Sequence, residues 1–413
     1  MDTKAEKIKV KNILVLTYWD YRDALIQTYT LPYLRIIRKH ISNNARIYLL
    51  LIEKKPFLNR NDFNTLKTKS AQEGIHLLRI KYRSFGPVML FRLIFLIKRL
   101  FFLILFRKIN VIHAWCTPAG ALGYYLSRFT GRKLVLDSFE PHAEASVENG
   151  SWQKNSKRFN YLFKLEKKQA ARASKLILTT KGMQSYIQNK YKLNIAEEKL
   201  FVKPACVNYE DFSETTEPEK IKLKQDLGIK DNNFLAIYAG KLGGIYYDTE
   251  VFQFMKAAYD YWDGNLNWIL LSGEDEGKVK KMCKDNGLPL DAVKHLFVPH
   301  HEVKKYLAIA DFGLTPVKPV PTKRYCTPIK DGEYWSSGLP VVISDNISDD
   351  SELIKENNAG VIVDFENPES YSTAIKKLEQ IIKEKGHKDR IRQLAKNYRS
   401  FTLAEKVYAE IYE

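Results

Sequence analysis

Short apolar, β-rich runs alternate with amphipathic stretches from one end of the chain to the other. In the first half the runs are NILVLTY, ARIYLLLI, IHLLRI, NVIHAW, KLVLD, KLILTT and KLFVK. Amphipathic stretches between them, such as 24–40, 61–73 and 159–173, predict helices. Strand–helix alternation predicts a parallel sheet covered on both faces. The pattern then restarts with FLAIYAG, NWILLSG, KHLFVP, DFGLTPV, LPVVIS and AGVIVD. Between the halves lies ACVNYEDFSETTEPEK, polar and acidic, which predicts a linker near residues 205–220. Two α/β lobes are therefore expected, residues 1–205 and 206–413.

Residues 85–106, FGPVMLFRLIFLIKRLFFLILF, break the rhythm. They are very apolar, but Arg92, Lys98 and Arg99 leave no uncharged run long enough to cross a bilayer. On a helix Arg92 and Arg99 lie nearly over one another, with Lys98 beside them. Such a helix either lies in a membrane interface, its cations on anionic headgroups, or packs on the sheet with its charged edge in water.

Composition changes the picture in two ways. At 413 residues the chain is too long for one compact core and suits two lobes of roughly 200 residues each. The net charge of +18 is also uneven: residues 1–205 hold 38 Lys and Arg against 14 Asp and Glu, residues 206–413 hold 28 against 34. A basic first lobe suits an anionic lipid surface or a phosphorylated substrate, or is simply a solvated basic surface. No nucleic-acid partner is expected, since no helix-turn-helix, zinc or RNA-sheet motif is present. The four cysteines form no CxxC pair, so neither a zinc site nor a disulfide framework is expected. With no disulfide framework, a reducing cytosol is the expected compartment, and the N-terminus reads as a first strand and not a signal peptide.

The densest chemistry is CTPIKDGEYWSSGLPVVISD, residues 326–345, which reads loop, helix, glycine turn, strand. Lys330, Asp331 and Glu333 fall at the helix start, where free N–H groups and the positive dipole end favour phosphate. A lysine there adds a point charge for a diphosphate, and a carboxylate one turn in accepts ribose hydroxyls. The plainer reading is that the carboxylates only complement the dipole. Upstream, FLAIYAGKLGGIYYD places Gly240 and Lys241 in a glycine-rich strand-to-helix turn, open to phosphate oxygens or merely tight.

Together these strings resemble the donor site of retaining GT-B glycosyltransferases of family four. The pattern PxKxxEYxxxGxPVV is similar to that family's signature, and the Gly-Lys pair stands where the family has Gly-Arg or Gly-Lys. The resemblance implies two Rossmann-like lobes facing a central cleft, with a last helix, near 400–412, returning toward the first lobe. It implies sugar transfer from a nucleoside-diphosphate sugar with retention, no cofactor and no obligatory metal. Gly240, Lys241, Lys330, Asp331 and Glu333 would bind the donor, Glu333 through the ribose. Two departures stand out: Tyr246 replaces a second basic residue, and Tyr325 replaces a glutamate eight residues before Glu333.

In the first lobe LVLDSFEPHAEASVE follows a strand and gathers Asp137, Glu140, His142 and Glu144. Ligands of α/β sheets bind at such strand ends. The resemblance makes His142 the catalytic or sugar-positioning residue; otherwise it is a surface-loop histidine. The loop TYWDYRDALIQTYTLPYL supplies Arg22, Asp23 and Gln27, with Glu140, as acceptor-binding candidates, and its aromatics suit sugar stacking or core packing. His300 and His301, just before an expected helix, read as capping residues. The expected function is a transferase acting on a glycan or polyprenyl-linked acceptor in surface-polysaccharide assembly, peripheral on the inner face of the cytoplasmic membrane. A nucleotide-sugar 2-epimerase of the same fold and a non-catalytic membrane-binding protein remain as alternatives.

Overall fold

The computed structural model describes residues 8–23, 25–81, 87–212 and 215–412, with the side chains of residues 87–91 outside that description. The expected helix start at Ala24, the first two residues of the 85–106 segment, and residues 213–214 of the linker lie outside the described residues. The chain forms two compact units, residues 1–204 with 402–413, and residues 205–401.

The first unit is built on seven parallel strands: β1 (Asn12–Leu16), β2 (Arg46–Glu53), β3 (Ile75–Lys81), β4 (Val111–Trp115), β5 (Lys133–Phe139), β6 (Lys175–Leu178) and β7 (Leu200–Val202), in the order β3-β2-β1-β4-β5-β6-β7. Near-continuous Val, Ile and Leu suits strands covered on both faces, and Ile13 through Leu16 have no exposed surface. The strand order reverses between β1 and β4, which pair at Ile13↔Val111. The helix that follows β1 opens with a π turn, Ile26–Thr30, before Leu31–Lys39. Pro32 lies just past it; its missing N–H and its ring disfavour the regular i to i−4 ladder there.

The long apolar helix spans Pro87–Phe106. It does not choose between the two expected readings. Leu100 and Ile104 are buried, while Ile94, Phe95, Phe102 and Phe106 are 49, 71, 53 and 80 % exposed. Arg92, Lys98 and Arg99 are exposed with them. No helix among the described residues is long and apolar enough to cross a membrane.

The second unit carries six parallel strands: β8 (Phe234–Ala239), β9 (Leu266–Leu271), β10 (Val293–Leu296), β11 (Phe312–Thr315), β12 (Val341–Ile343) and β13 (Gly360–Ile362), ordered β10-β9-β8-β11-β12-β13. Its order reverses between β8 and β11, which pair at Phe312↔Ala236. Trp268, Phe252 and Trp262 pack one face of this sheet, Tyr334 and Trp335 the other. Where the chain enters and leaves this unit, Val207 bridges Ser400 in parallel, with Val207 N–H donating to the Arg399 carbonyl at 2.7 Å.

Candidate active site

In an open α/β sheet a ligand finds room outside the carboxyl ends of the strands where the order reverses. In the second unit that point is β8/β11. The loop after β8 and the segment after β11 zip together there: Tyr247 N–H donates to the Pro316 carbonyl at 2.8 Å, and Lys318 N–H to the Ile245 carbonyl at 3.0 Å. Gly240 ends β8. A Cβ on it would lie 2.8 Å from Lys330 Nζ, so the missing side chain lets the lysine tip rest on the backbone.

The helix Ile329–Ser336 begins at this place, with Pro328 as its N-cap. Lys330 and Glu333, three residues apart, share a helix face. The Lys330 ammonium is buried, has no hydrogen-bond partner among the described residues, and lies 4.6 and 4.5 Å from the ring centroids of Tyr238 and Tyr246. Burial pulls its pKa down to about 8, against the opposing pull of Asp331 and Glu333. Tyr246, which stands in place of a second basic residue, thus forms one wall of the lysine's seat. Lys241 is exposed beside it.

Glu333 is 7 % exposed and its Oε1 lies 2.9 Å from Nε2 of His300. The histidine begins the helix His300–Ile309, so its place at a helix start is as expected, but its side chain joins the glutamate instead of capping. Its hydrogen bond to Glu333 raises its pKa above the ordinary value, against the pull of burial. His301 is 79 % exposed and stands by Glu302. Asp331, also expected at the donor, faces inward. It has no exposed surface, accepts a hydrogen bond from the Thr315 hydroxyl, and lies against Asp350; burial and that neighbour push its carboxyl well above the usual range. The inward turn of the helix brings this side chain against Thr315 and Asp350.

Behind the helix Arg399 has no exposed surface. Its Nη1 donates to both Asp350 oxygens at 2.7 and 2.8 Å, its Nε to the Ala205 carbonyl at 2.9 Å, and its Nη2 to the Pro328 carbonyl. One guanidinium therefore ties the N-cap of the Lys330 helix to the start of the unit. A cavity of about 450 Å³ opens at the ends of β9 and β10, bordered by Ser272, Glu274, His295 and Phe297. Phe297 offers an open ring, 82 % exposed.

In the first unit His142 starts the helix His142–Glu148. Of the acidic residues expected around it, only Glu140 adjoins it, with Oε1 3.5 Å from Nε2. Glu144 is taken by the Tyr186 hydroxyl at 2.8 Å and Lys190 at 3.1 Å. Asp137 is fully buried, 3.2 Å from Lys203, 2.6 Å from the Tyr408 hydroxyl and 3.2 Å from His113 Nε2. Burial alone would raise its pKa; Lys203, His113 and Tyr408 outweigh that and hold it well below the usual carboxylate range. Asp137 thus anchors the C-terminal helix Phe401–Ile411 and does not orient His142. The residue that does hold this turn is Glu166, whose Oε1 accepts Ala143 N–H at 2.9 Å. It is buried and pushed up to about 8 by that burial.

In the front loop Arg22 is paired with Asp20 at 2.9 Å, Asp23 accepts Leu25 N–H at 3.0 Å, and Gln27 donates to the Tyr21 carbonyl at 2.6 Å. All three hold the loop's own shape, with Arg22 and Gln27 still exposed. Among the described residues no three His, Cys, Asp or Glu side chains gather as metal ligands would.

Residues 219–398, within the second unit, match the family model of glycosyl transferases group 1. No curated protein sequence matches the chain. Solved structures match across nearly its whole length. HepE from Anabaena in complex with UDP has a TM-score of 0.71 at 15% identity, covering 97% of this chain and 98% of its own. A glycosyltransferase from Rickettsia africae has 0.70 at 14% identity, covering 98% and 99%. WaaG, a glycosyltransferase involved in lipopolysaccharide biosynthesis, has 0.63 at 15% identity, covering 96% and 98%. At these identities the likeness is one of fold. The chain therefore has the two-sheet fold of the GT-B glycosyltransferases, and within its second unit residues 219–398 are similar to the glycosyl transferases group 1.

Proposed function

We propose that the protein transfers a sugar from a nucleoside-diphosphate sugar to a lipid-linked glycan acceptor, with retention at the anomeric carbon. The observation that carries this reading is the Lys330 ammonium. It is buried against Gly240 without a hydrogen-bond partner among the described residues, at the N-terminus of the helix that bears Glu333. An unmet buried cation at a strand-order reversal is costly unless an anion completes it. A diphosphate does so: its oxygens meet Lys330, the helix N–H groups and the exposed Lys241. Glu333 takes the ribose hydroxyls, and Phe297 gives the base an apolar face. Uridine diphosphate, the nucleotide bound by HepE, is the first to test.

In the reaction the same cations stabilise the departing diphosphate, where charge develops. His142 positions the reacting sugar, and the first unit receives the acceptor, with Arg22, Asp23, Gln27 and Glu140 as contacts. The basic first unit and the open apolar face of the Pro87–Phe106 helix favour an acceptor presented at an anionic membrane, and so a peripheral place on its cytoplasmic face. The role follows: a step in surface-polysaccharide assembly. Calorimetry with uridine diphosphate tests the donor half: Lys241→Ala should weaken binding by about 1–3 kcal/mol, the scale of a charge-assisted contact. Unchanged affinity removes Lys241 from the site.

A further inference from the structure

A cavity of about 430 Å³ lies in the first unit between strands β2 and β3 and the Pro87–Phe106 helix. Its walls are hydrocarbon: Leu50 and Leu78 from the strands, Leu96, Leu100 and Leu103 from the helix. Arg79, Arg99 and Arg107 stand at its edge. Arg79 is already neutralised by Glu53 at 3.2 Å. Arg99 and Arg107 have no ion-pair partner among the described residues, and both are exposed. Phe106, also at the edge and 80 % exposed, continues the cavity into the outward face formed by Phe95 and Phe102.

A leucine-lined slot bordered by two guanidinium groups without an ion-pair partner among the described residues suits neither a sugar nor a bare anion. Hydroxyls would find no partner on leucine walls, and a free phosphate would leave those walls in water. An amphiphile satisfies both parts. We propose that this groove seats one acyl chain of an anionic phospholipid, with the lipid phosphate on Arg99 and Arg107. The inference rests on the proposed membrane contact and sharpens it. The helix does not only lie on headgroups; it draws one lipid in beneath itself, which fixes the depth and rotation of the first unit at the surface. Arginine suits the phosphate because its planar fork gives two parallel hydrogen bonds.

The test uses the full-length protein and dihexanoyl phosphatidylglycerol kept below its micellar concentration, with glycerol phosphate as the chainless control. Calorimetry should show one lipid bound per chain and no detectable heat from glycerol phosphate. Arg107→Glu reverses the charge at an exposed position, and Leu103→Trp fills the slot; each should weaken lipid binding at least tenfold. Arg92→Glu with Lys98→Glu, outside the groove, should leave monomer binding intact while abolishing sedimentation with vesicles containing phosphatidylglycerol. Lipid binding no stronger than that of glycerol phosphate overturns the proposal, as does wild-type affinity in both groove variants. Sedimentation with vesicles but no monomer binding removes the groove and leaves the membrane reading standing. Monomer binding without sedimentation removes the membrane reading and leaves the groove.

Discussion

Nε2 of His300 lies 2.9 Å from Oε1 of Glu333, across 33 residues of sequence. His300 starts the helix that follows β10, and Glu333 lies one turn into the helix Ile329–Ser336 that follows β11. The pair holds the carboxylate that the proposed ribose contact needs. Because Glu333 raises the His300 pKa, the pair stabilises the fold most fully at acidic pH, and this contribution fades as pH rises through the folded-state value. The histidine is nearly half exposed, which keeps that contribution small. A nuclear magnetic resonance titration should place His300 above the ordinary histidine value, and Glu333→Gln should bring it back down. The same titration curve in both proteins would show that the pair does not form in solution.

Lys330 supplies a second pH signature. Free, it titrates near 8, because burial disfavours its charged form. A bound diphosphate favours the ammonium and raises that value. Between about pH 8 and 9 nucleotide binding should therefore take up protons, and near pH 6.5 it should not. Calorimetry in buffers of different ionisation enthalpy reads this directly. Lys330→Met should abolish the uptake; uptake that persists in the variant assigns it elsewhere.

Much of this was legible in the sequence, for identifiable reasons. Each of the thirteen strands falls within or beside an apolar run read as a strand, because a strand buried on both faces leaves little room for polar residues. Gly240, Lys330 and Glu333 stand in a recognisable local pattern. What the sequence hid is side-chain direction. Asp331 and Glu333 are two residues apart on one helix, hence about 200° apart around it, and only packing decides which faces inward. His300 read as a capping residue because a helix start looks the same whether its side chain caps or reaches a neighbour. Asp137 looked like a partner for His142, but Lys203, 66 residues on, and Tyr408, 271 residues on, claim it.

Arg399 should matter to stability before it matters to chemistry. Arg399→Met leaves Asp350 buried without its cation, a defect that costs about 3–5 kcal/mol when one partner of a buried pair is removed. Thermal unfolding of the second unit should shift down accordingly. Asp350→Asn combined with Arg399→Met should recover part of the loss, since no lone charge is then left. Equal loss in the single and double variants would show that the pair's charge is not what holds the helix start.

His142→Ala should lower turnover about a hundredfold or more, the scale of a positioned proton-transfer or hydrogen-bonding group. Donor affinity should stay near wild type, because the groups proposed for the diphosphate all belong to the second unit. Transfer and nucleotide binding measured on the same folded variant decide the matter. Near-normal transfer removes His142 from the mechanism.

The central claim is that a donor sugar held at Lys330 and Glu333 leaves for an acceptor. It is tested most directly by release of nucleoside diphosphate from a panel of nucleotide sugars, with and without a lipid-linked glycan extract. The account predicts release from one donor only when the extract is present, with the sugar recovered in the lipid fraction, and none from Lys330→Met. Conversion of a donor to its 2-epimer or to free nucleotide without any acceptor, or acceptor-dependent transfer undiminished in Lys330→Met, would contradict it.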